Sequence, residues 1–292
     1  MLDGMDSVGF VENLARQQPE KHDEDYTRDG ILFCGTCGEP KQAWIDWFPD
    51  ADGNAEKKLV RIMCKCDLKR EQEEKDRKAR ADFEERMLFV QTALHTMKDD
   101  VRWRFDMDEN PNNTIAKTCR VYVAEWEKMK RENVGILFYG TKGSGKTFYA
   151  TCIYNALKEK QILVGFTTAP NLMNILGKWD KTEIFDAITR PQLLVIDDLG
   201  AERSGSYSAE LMYSVIDARY KTGKPTVVTT NMDKDDMEKE EDMWRSRIYD
   251  RIIEMCPIPL KFESQSKRKI IANERKQLAR EVMLQAAEFG GR

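Results

Sequence analysis

The sequence predicts an α/β fold, a parallel sheet covered by helices on both faces, preceded by a small cysteine-rich module and a long charged helix. Three observations carry that prediction. In the second half of the chain, short apolar runs alternate with helical stretches, the pattern of βαβ units. One of those runs leads into a complete phosphate-loop motif that opens a helix. Ahead of them, four cysteines stand as two close pairs in a stretch too short to bury a core of its own.

The 292 residues suffice for one large domain and a small appended one. With 41% apolar and 34% charged residues, the composition suits a real core beneath a heavily charged surface. A net charge of only −4 means that any contact with nucleic acid comes from a local basic patch. No apolar run approaches the roughly 20 residues that span a bilayer. The first residues, MLDGMDSVGF, lack the basic and apolar regions of a signal peptide. A cytoplasmic protein without a membrane partner is therefore expected. Seven cysteines in that compartment point to metal binding or buried thiols rather than disulfides.

In chain order, residues 1–30 are acidic and weakly apolar, and read as a tail or a loosely held helix. Residues 31–67 form the cysteine module. Cys34-Gly-Thr-Cys37 and Cys64-Lys-Cys66 offer four thiolates from two turns, the donor set of tetrahedral Zn²⁺. Gly35 and Gly38 suit a sharp knuckle whose backbone N–H groups can face sulfur. WIDWF and LVRIM should make short strands around a turn at Asp52-Gly53. A thioredoxin-like C-x-x-C is disfavoured because no βαβ pattern surrounds it, which leaves unrelated buried cysteines as the other reading. Lys41, Lys57, Lys58, Arg61 and Lys65 are balanced by Glu39, Asp46, Asp50, Asp52 and Glu56. Such a module suits a structural or protein-binding role better than nucleic acid. Cys119, Cys152 and Cys256 lie in apolar settings, as core thiols do.

Residues 68–99 read as a connector helix. Glu71/Lys75, Glu73/Arg77, Glu74/Lys78 and Asp76/Arg80 are acid-before-base pairs at the spacing that helices favour. Phe83, Met87, Val90 and Leu94 then repeat on one face, which should be buried. After a break at DMDENPNN, residues 100–292 make the nucleotide-binding domain. Its strands are expected at 135–139, 162–167, 193–197, 226–230 and 258–262, with helices between them such as 146–158 and 209–221.

Gly140-Thr-Lys-Gly143-Ser144-Gly145-Lys146-Thr147 satisfies G-x-x-x-x-G-K-[ST], after an apolar strand and before a helix. The glycines let the backbone curl so that successive N–H groups, Ser144 among them, meet phosphate oxygens. Lys146 should reach the β- and γ-phosphates of ATP, and the Thr147 hydroxyl should bind Mg²⁺. Some 50 residues on, an apolar strand ends in Asp197-Asp198. A carboxylate there is costly unless it meets a cation, so Asp197 can hold Mg²⁺ through water. Asp198 is then placed to orient or deprotonate the attacking water. TVVTT ends at Asn231, which can hydrogen-bond that water or the γ-phosphate, or serve as the N-cap of the next helix. Arg247 and Arg251, four apart beside Asp250, could equally be surface charges on an amphipathic helix.

The phosphate loop, IDDLG, the TTN strand end, Tyr249-Asp-Arg-Ile and a terminal Ser264-Gln-Ser266-Lys-Arg268 together resemble the AAA+ ATPases of the DnaC/IstB group over roughly residues 100–275. The resemblance implies a P-loop AAA+ sheet with flanking helices. Lys146 and Thr147 would be Walker A residues, Asp197 and Asp198 the Walker B pair, and Asn231 sensor 1. It further implies that Arg251 is an arginine finger acting on a neighbouring subunit, with Arg247 as the alternate, and that Arg268 is sensor 2. Two positions depart from the pattern. Ser264 replaces the usual Gly, and Asp198 stands where most AAA+ proteins have Glu, a shorter reach that suits a slow switch. The N-terminal cysteines resemble the arrangement in some helicase loaders of Gram-positive bacteria and their phages. The resemblance implies ATP-dependent loading of a replicative helicase onto single-stranded DNA by a homo-oligomer. An IstB-like transposition ATPase and a nucleotide-gated regulatory protein are the other readings.

Overall fold

A computed structural model describes residues 21–46, 57–96, 101–177, 181–201, 206–263 and 275–283. They fall into two compact units, one reaching Ala81 and the other starting at Asp82.

In the first unit, β1 (Tyr26–Arg28) pairs antiparallel with β2 (Ile31–Phe33). Asp29 and Gly30 between them have φ of 50° and 76°, the left-handed pair that a tight two-residue hairpin requires. Strand pairing thus begins inside the acidic stretch 1–30, although the first 20 residues of that stretch lie outside the described residues. β3 (Gln42–Asp46) pairs with β4 (Lys57–Arg61), setting Trp44 opposite Leu59. Two short strands are expected here, and each starts two residues earlier than WIDWF and LVRIM suggest; Trp47, Phe48 and the Asp52-Gly53 turn lie outside the described residues. Beneath the hairpins sits a buried ion cluster. Lys41 is fully buried, with Nζ 2.7 Å from Asp25 Oδ2 and 3.7 Å from Asp67 Oδ2. The Asp25 carboxylate also accepts the N–H groups of His22 (2.8 Å) and Gly35 (3.0 Å). The His22 N–H first, then the Lys41 ammonium, hold its carboxyl well below the usual range.

α1 (Lys65–Ala93) runs for 29 residues. Glu71–Lys75 and Glu74–Lys78 pair as expected at 2.6 and 2.7 Å, while Glu73 turns back to Lys69 at 3.8 Å. From Asp82 onward the helix belongs to the second unit. There the expected face is buried: Phe83 and Met87 pack with Cys119 and Trp126, Val90 and Leu94 with Leu172 and Leu194.

The second unit continues through α2 (Thr114–Ala124), capped by the Asn113 side chain, and α3 (Trp126–Arg131). Then follow β5 (Ile136–Gly140), α4 (Lys146–Glu159), β6 (Val164–Thr168), α5 (Ala169–Leu176), α6 (Lys181–Thr189) and β7 (Leu193–Leu199). Next come α7 (Ser206–Lys221), β8 (Thr226–Thr230), α8 (Lys234–Glu238), α9 (Met243–Met255) and β9 (Ile258–Phe262). The five strands β5–β9 pair in parallel in the order β6-β7-β8-β5-β9. Alternate residues serve opposite faces: Phe138, Val195 and Val227 join one apolar cluster, Leu137, Ile196 and Val228 the other. This is the doubly covered parallel sheet that the alternating pattern predicts, with β5 and β6 starting one or two residues later than expected. Arg219 closes the N-terminal edge of the sheet. Fully buried, its guanidinium donates to Thr226 Oγ1 and to the carbonyls of Ile188, Pro191, Gln192 and Pro225, so its donors are matched by acceptors rather than by a carboxylate. Burial draws its pKa down to about 9. Among the described residues, no helix is long and apolar enough to cross a membrane.

Candidate nucleotide site and cysteine centre

Because β8 lies between β7 and β5, the C-terminal ends of three strands meet at one edge. The loop from Gly140 to Gly145 leaves β5 and enters α4. Gly140, Gly143 and Gly145 have φ of 110°, 78° and 105°, which other residues rarely adopt. A Cβ on Gly140 would also lie 2.5 Å from the Phe262 carbonyl oxygen. Ser144 Oγ donates to the Thr141 carbonyl (2.6 Å) and tightens the loop. Lys146, at the first position of α4, is buried. Its Nζ donates to the carbonyls of Gly140 (2.9 Å) and Thr141 (2.8 Å) and to Asn231 Oδ1 (2.9 Å).

Thr147 Oγ1 donates to Asp197 Oδ1 and Oδ2 at 3.0 and 3.1 Å. A hydroxyl and a buried carboxylate side by side, next to the phosphate loop, are the hard oxygen donors that Mg²⁺ takes. Asp198 follows with φ of 54°, left-handed although it is not glycine, and Gly200 with φ of 87°. Asn231 is exposed and tied to Lys146. The cap of the next helix is Asp233, whose side chain accepts the Asp235 N–H. The structure therefore brings Lys146, Thr147, Asp197 and Asn231 together, with Asp198 adjoining them.

Arg251 sits elsewhere. On α9, its Nη2 lies 2.7 Å from Asp217 Oδ1, and the guanidinium carbon stands 4.4 Å from the Tyr213 ring centre and 5.5 Å from that of Tyr220. These partners belong to α7. Arg247 is exposed, over the Trp244 ring at 5.6 Å. Arg268 lies outside the described residues, as do Ser264 and Ser266.

In the first unit, the Sγ atoms of Cys34, Cys37, Cys64 and Cys66 all lie within 4.8 Å of one another. Sulfurs about 2.3 Å from a tetrahedral Zn²⁺ would stand about 3.8 Å apart, so the four fit that ion with small adjustment. Cys34 and Cys64 are buried, and Cys37 is exposed. The Cys37 and Thr36 N–H groups favour the Cys34 thiolate and draw its pKa down to about 7. Burial pushes Cys64 up to about 12, and the neighbouring Cys37 helps push Cys66 up to about 11. Four crowded sulfurs can ionise together only around a cation, which suits the same ion. The N–H of Asp67 faces Cys64 Sγ at 3.4 Å. The knuckle turns backbone N–H groups to sulfur as expected, those of Thr36 and Cys37 to Cys34, while the glycines' own N–H groups go elsewhere. Gly35 donates to Asp25 and Gly38 to the Cys34 carbonyl. Gly35 is required for another reason, since a Cβ there would lie 2.0 Å from the Glu24 carbonyl oxygen. Cys119, Cys152 and Cys256 are buried, and burial raises all three thiols.

A family profile described as IstB-like ATP binding protein matches residues 44–274. The chain is similar to the replicative helicase loader DnaC of Escherichia coli (strain K12), 25% identical over 150 residues, 49% of this chain and 58% of that protein. It is likewise similar to the replicative helicase loader DnaI of Bacillus subtilis (strain 168), 26% identical over 148 residues, 46% of this chain and 47% of that one. The chain thus spans about half the length of the curated relatives it matches. A solved structure of a candidate primosome component from Streptococcus pyogenes serotype M3 shares the fold. Its TM-score is 0.50 at 18% identity, over 61% of this chain and 97% of that one.

Proposed function

The chain belongs to the family of IstB-like ATP-binding proteins, and on that premise we propose that it is an ATP-dependent loader of a replicative DNA helicase onto single-stranded DNA. Binding and slow hydrolysis of ATP act as the switch. The observation that carries the ATPase part is the meeting of three strand ends, with Lys146 on Asn231 and Thr147 on Asp197. Lys146 and the loop N–H groups take the β- and γ-phosphates. Mg²⁺ held by Thr147, and by Asp197 through water, would neutralise phosphate charge. Asp198 orients or deprotonates the attacking water, and Asn231 hydrogen-bonds that water or the γ-phosphate. Cys34, Cys37, Cys64 and Cys66 hold a structural zinc.

The loader part is supported by the similarity to proteins named as replicative helicase loaders and by the four-cysteine module ahead of the ATPase. In this reading residues 31–67 form the module that engages the helicase, 68–99 connect, and 100–292 bind ATP and single-stranded DNA as part of a homo-oligomer. Arg251 would complete a neighbour's site and Arg268 would sense the nucleotide in cis. To act in trans, Arg251 must leave Asp217, whereas Arg247 is already exposed. Mixing Arg251→Ala with Lys146→Ala tests this: recovered ATPase activity assigns the finger to Arg251, and none in verified mixed assemblies removes Arg251 from that role and leaves Arg247 or an in-cis role for Arg251. The second reading, an IstB-like transposition ATPase, is supported by the family's description as IstB-like.

Full-length protein, incubated with the helicase of the same genome and circular single-stranded DNA, tests the proposal. Helicase should be retained on the DNA in a manner that depends on ATP, and the loader's own DNA contact should weaken steeply with salt. A helicase that ignores the protein, together with capture by a transposase, would replace the loader reading with the transposition one.

A further inference from the structure

β7 and β8 run in register as far as Ile196 opposite Val228, and resume at Leu199 opposite Thr230. Asp197 and Asp198 therefore stand against the single residue Thr229, which is a β-bulge. A bulge takes a backbone N–H out of the ladder, and here that group needs a new acceptor. The Asp198 N–H finds it in Thr229 Oγ1, at 2.9 Å. The same oxygen donates its own proton to Asp197 Oδ1 at 2.6 Å. Thr229 is fully buried. A hydroxyl has one proton, and a carboxylate can only accept it, so the direction of both bonds is fixed.

Two consequences meet at the site. Asp197 Oδ1 accepts from both Thr229 and Thr147, so the two hydroxyls together fix the carboxylate where hard oxygens converge. Asp198 is held in a left-handed conformation, φ 54°, that a non-glycine residue keeps only when its surroundings impose it. That turn takes its side chain out of the strand's alternation. We propose that Thr229 is a positioning residue of the hydrolytic site, its one hydroxyl orienting Asp197 for the metal and fixing the turn that presents Asp198. The role rests on the reading that these aspartates serve Mg²⁺ and the attacking water.

Valine matches threonine in shape and β-branching but carries no hydroxyl. The test compares full-length wild type, Thr229→Val and Thr229→Ser by two readouts. One is the affinity for a fluorescent ATP analogue with Mg²⁺ and with chelator; the other is phosphate release. Thr229→Val should keep the metal-free affinity, lose about tenfold or more of the gain that Mg²⁺ gives, and release phosphate about 10–100-fold more slowly. Thr229→Ser should restore both to within about threefold, because second-shell effects of this kind follow the hydrogen bond. Should Thr229→Val fail to fold by circular dichroism, Thr229→Ala takes its place against Thr229→Ser. A valine or alanine variant equal to wild type in both readouts overturns the role and leaves the ATPase reading standing. A serine variant as impaired as valine overturns it too, since the methyl group would then be what matters. Wild type that shows neither a Mg²⁺ effect nor phosphate release overturns the ATPase reading itself, and this role with it.

Discussion

Replacing Lys146 by alanine should weaken ATP binding by about a hundredfold or more while the ATPase unit keeps its fold. Hydrogen bonds to charged groups contribute roughly 1.5–3 kcal/mol each, and two of them to phosphate oxygens account for that loss. The fold should survive because the bonds Lys146 makes include two to carbonyls of its own loop and one to the exposed Asn231. Asn231 regains water when the ammonium goes, and the loop retains the Ser144–Thr141 bond. Titration with a fluorescent ATP analogue, beside a thermal melt, checks both halves. A variant that binds like wild type would place the phosphates somewhere other than this loop.

The second large effect concerns the cysteines. Purified protein should carry one zinc per chain, and Cys34→Ser should carry none. A small module has little apolar surface to bury, so metal binding supplies much of its folding free energy, about 10–16 kcal/mol in small zinc modules. Losing a buried ligand should therefore unfold the module. Lys41 makes this worse, because its buried ammonium depends on Asp25 and Asp67 being held where the folded turns put them. Residues from Asp82 onward bury their own apolar clusters and should melt as before. Metal analysis and two-wavelength melting read the two effects. Freshly purified wild type that contains no zinc, without exposure to chelator, would contradict the assignment.

The parts of the site that were legible in the sequence are those whose chemistry is local. A phosphate loop is one turn, and its glycines are demanded by φ values that the motif encodes within eight residues. The cysteine pairs are local for the same reason. What sequence could not decide is what depends on strand order and register. Asn231 reads as sensor or cap equally well until β8 is seen between β7 and β5; the cap then turns out to be Asp233. Thr229 looks like an ordinary β-former, because a bulge opposite it leaves no mark in hydrophobic alternation. Asp25 and Lys41 look like surface charges and are a buried pair, since nothing in a charge-balanced stretch says which charges turn inward. β1 leaves no pattern in the sequence, because Tyr-Thr-Arg is short and exposed on every residue. Glu73 shows the opposite limit: helical spacing offers it both Lys69 and Arg77, and side-chain geometry selects Lys69.

If three strand ends build a site that hydrolyses ATP, Asp198→Asn should bind nucleotide and fail to turn it over. The substitution keeps the shape, the bulge N–H and the Asp197–Thr147 pair, and removes only the carboxylate proposed to act on water. Phosphate release should fall about 10²-fold or more, the range for loss of a positioned general base, while affinity for the ATP analogue stays within about threefold of wild type. Equal turnover by wild type and Asp198→Asn, at equal nucleotide occupancy, would take Asp198 out of the reaction.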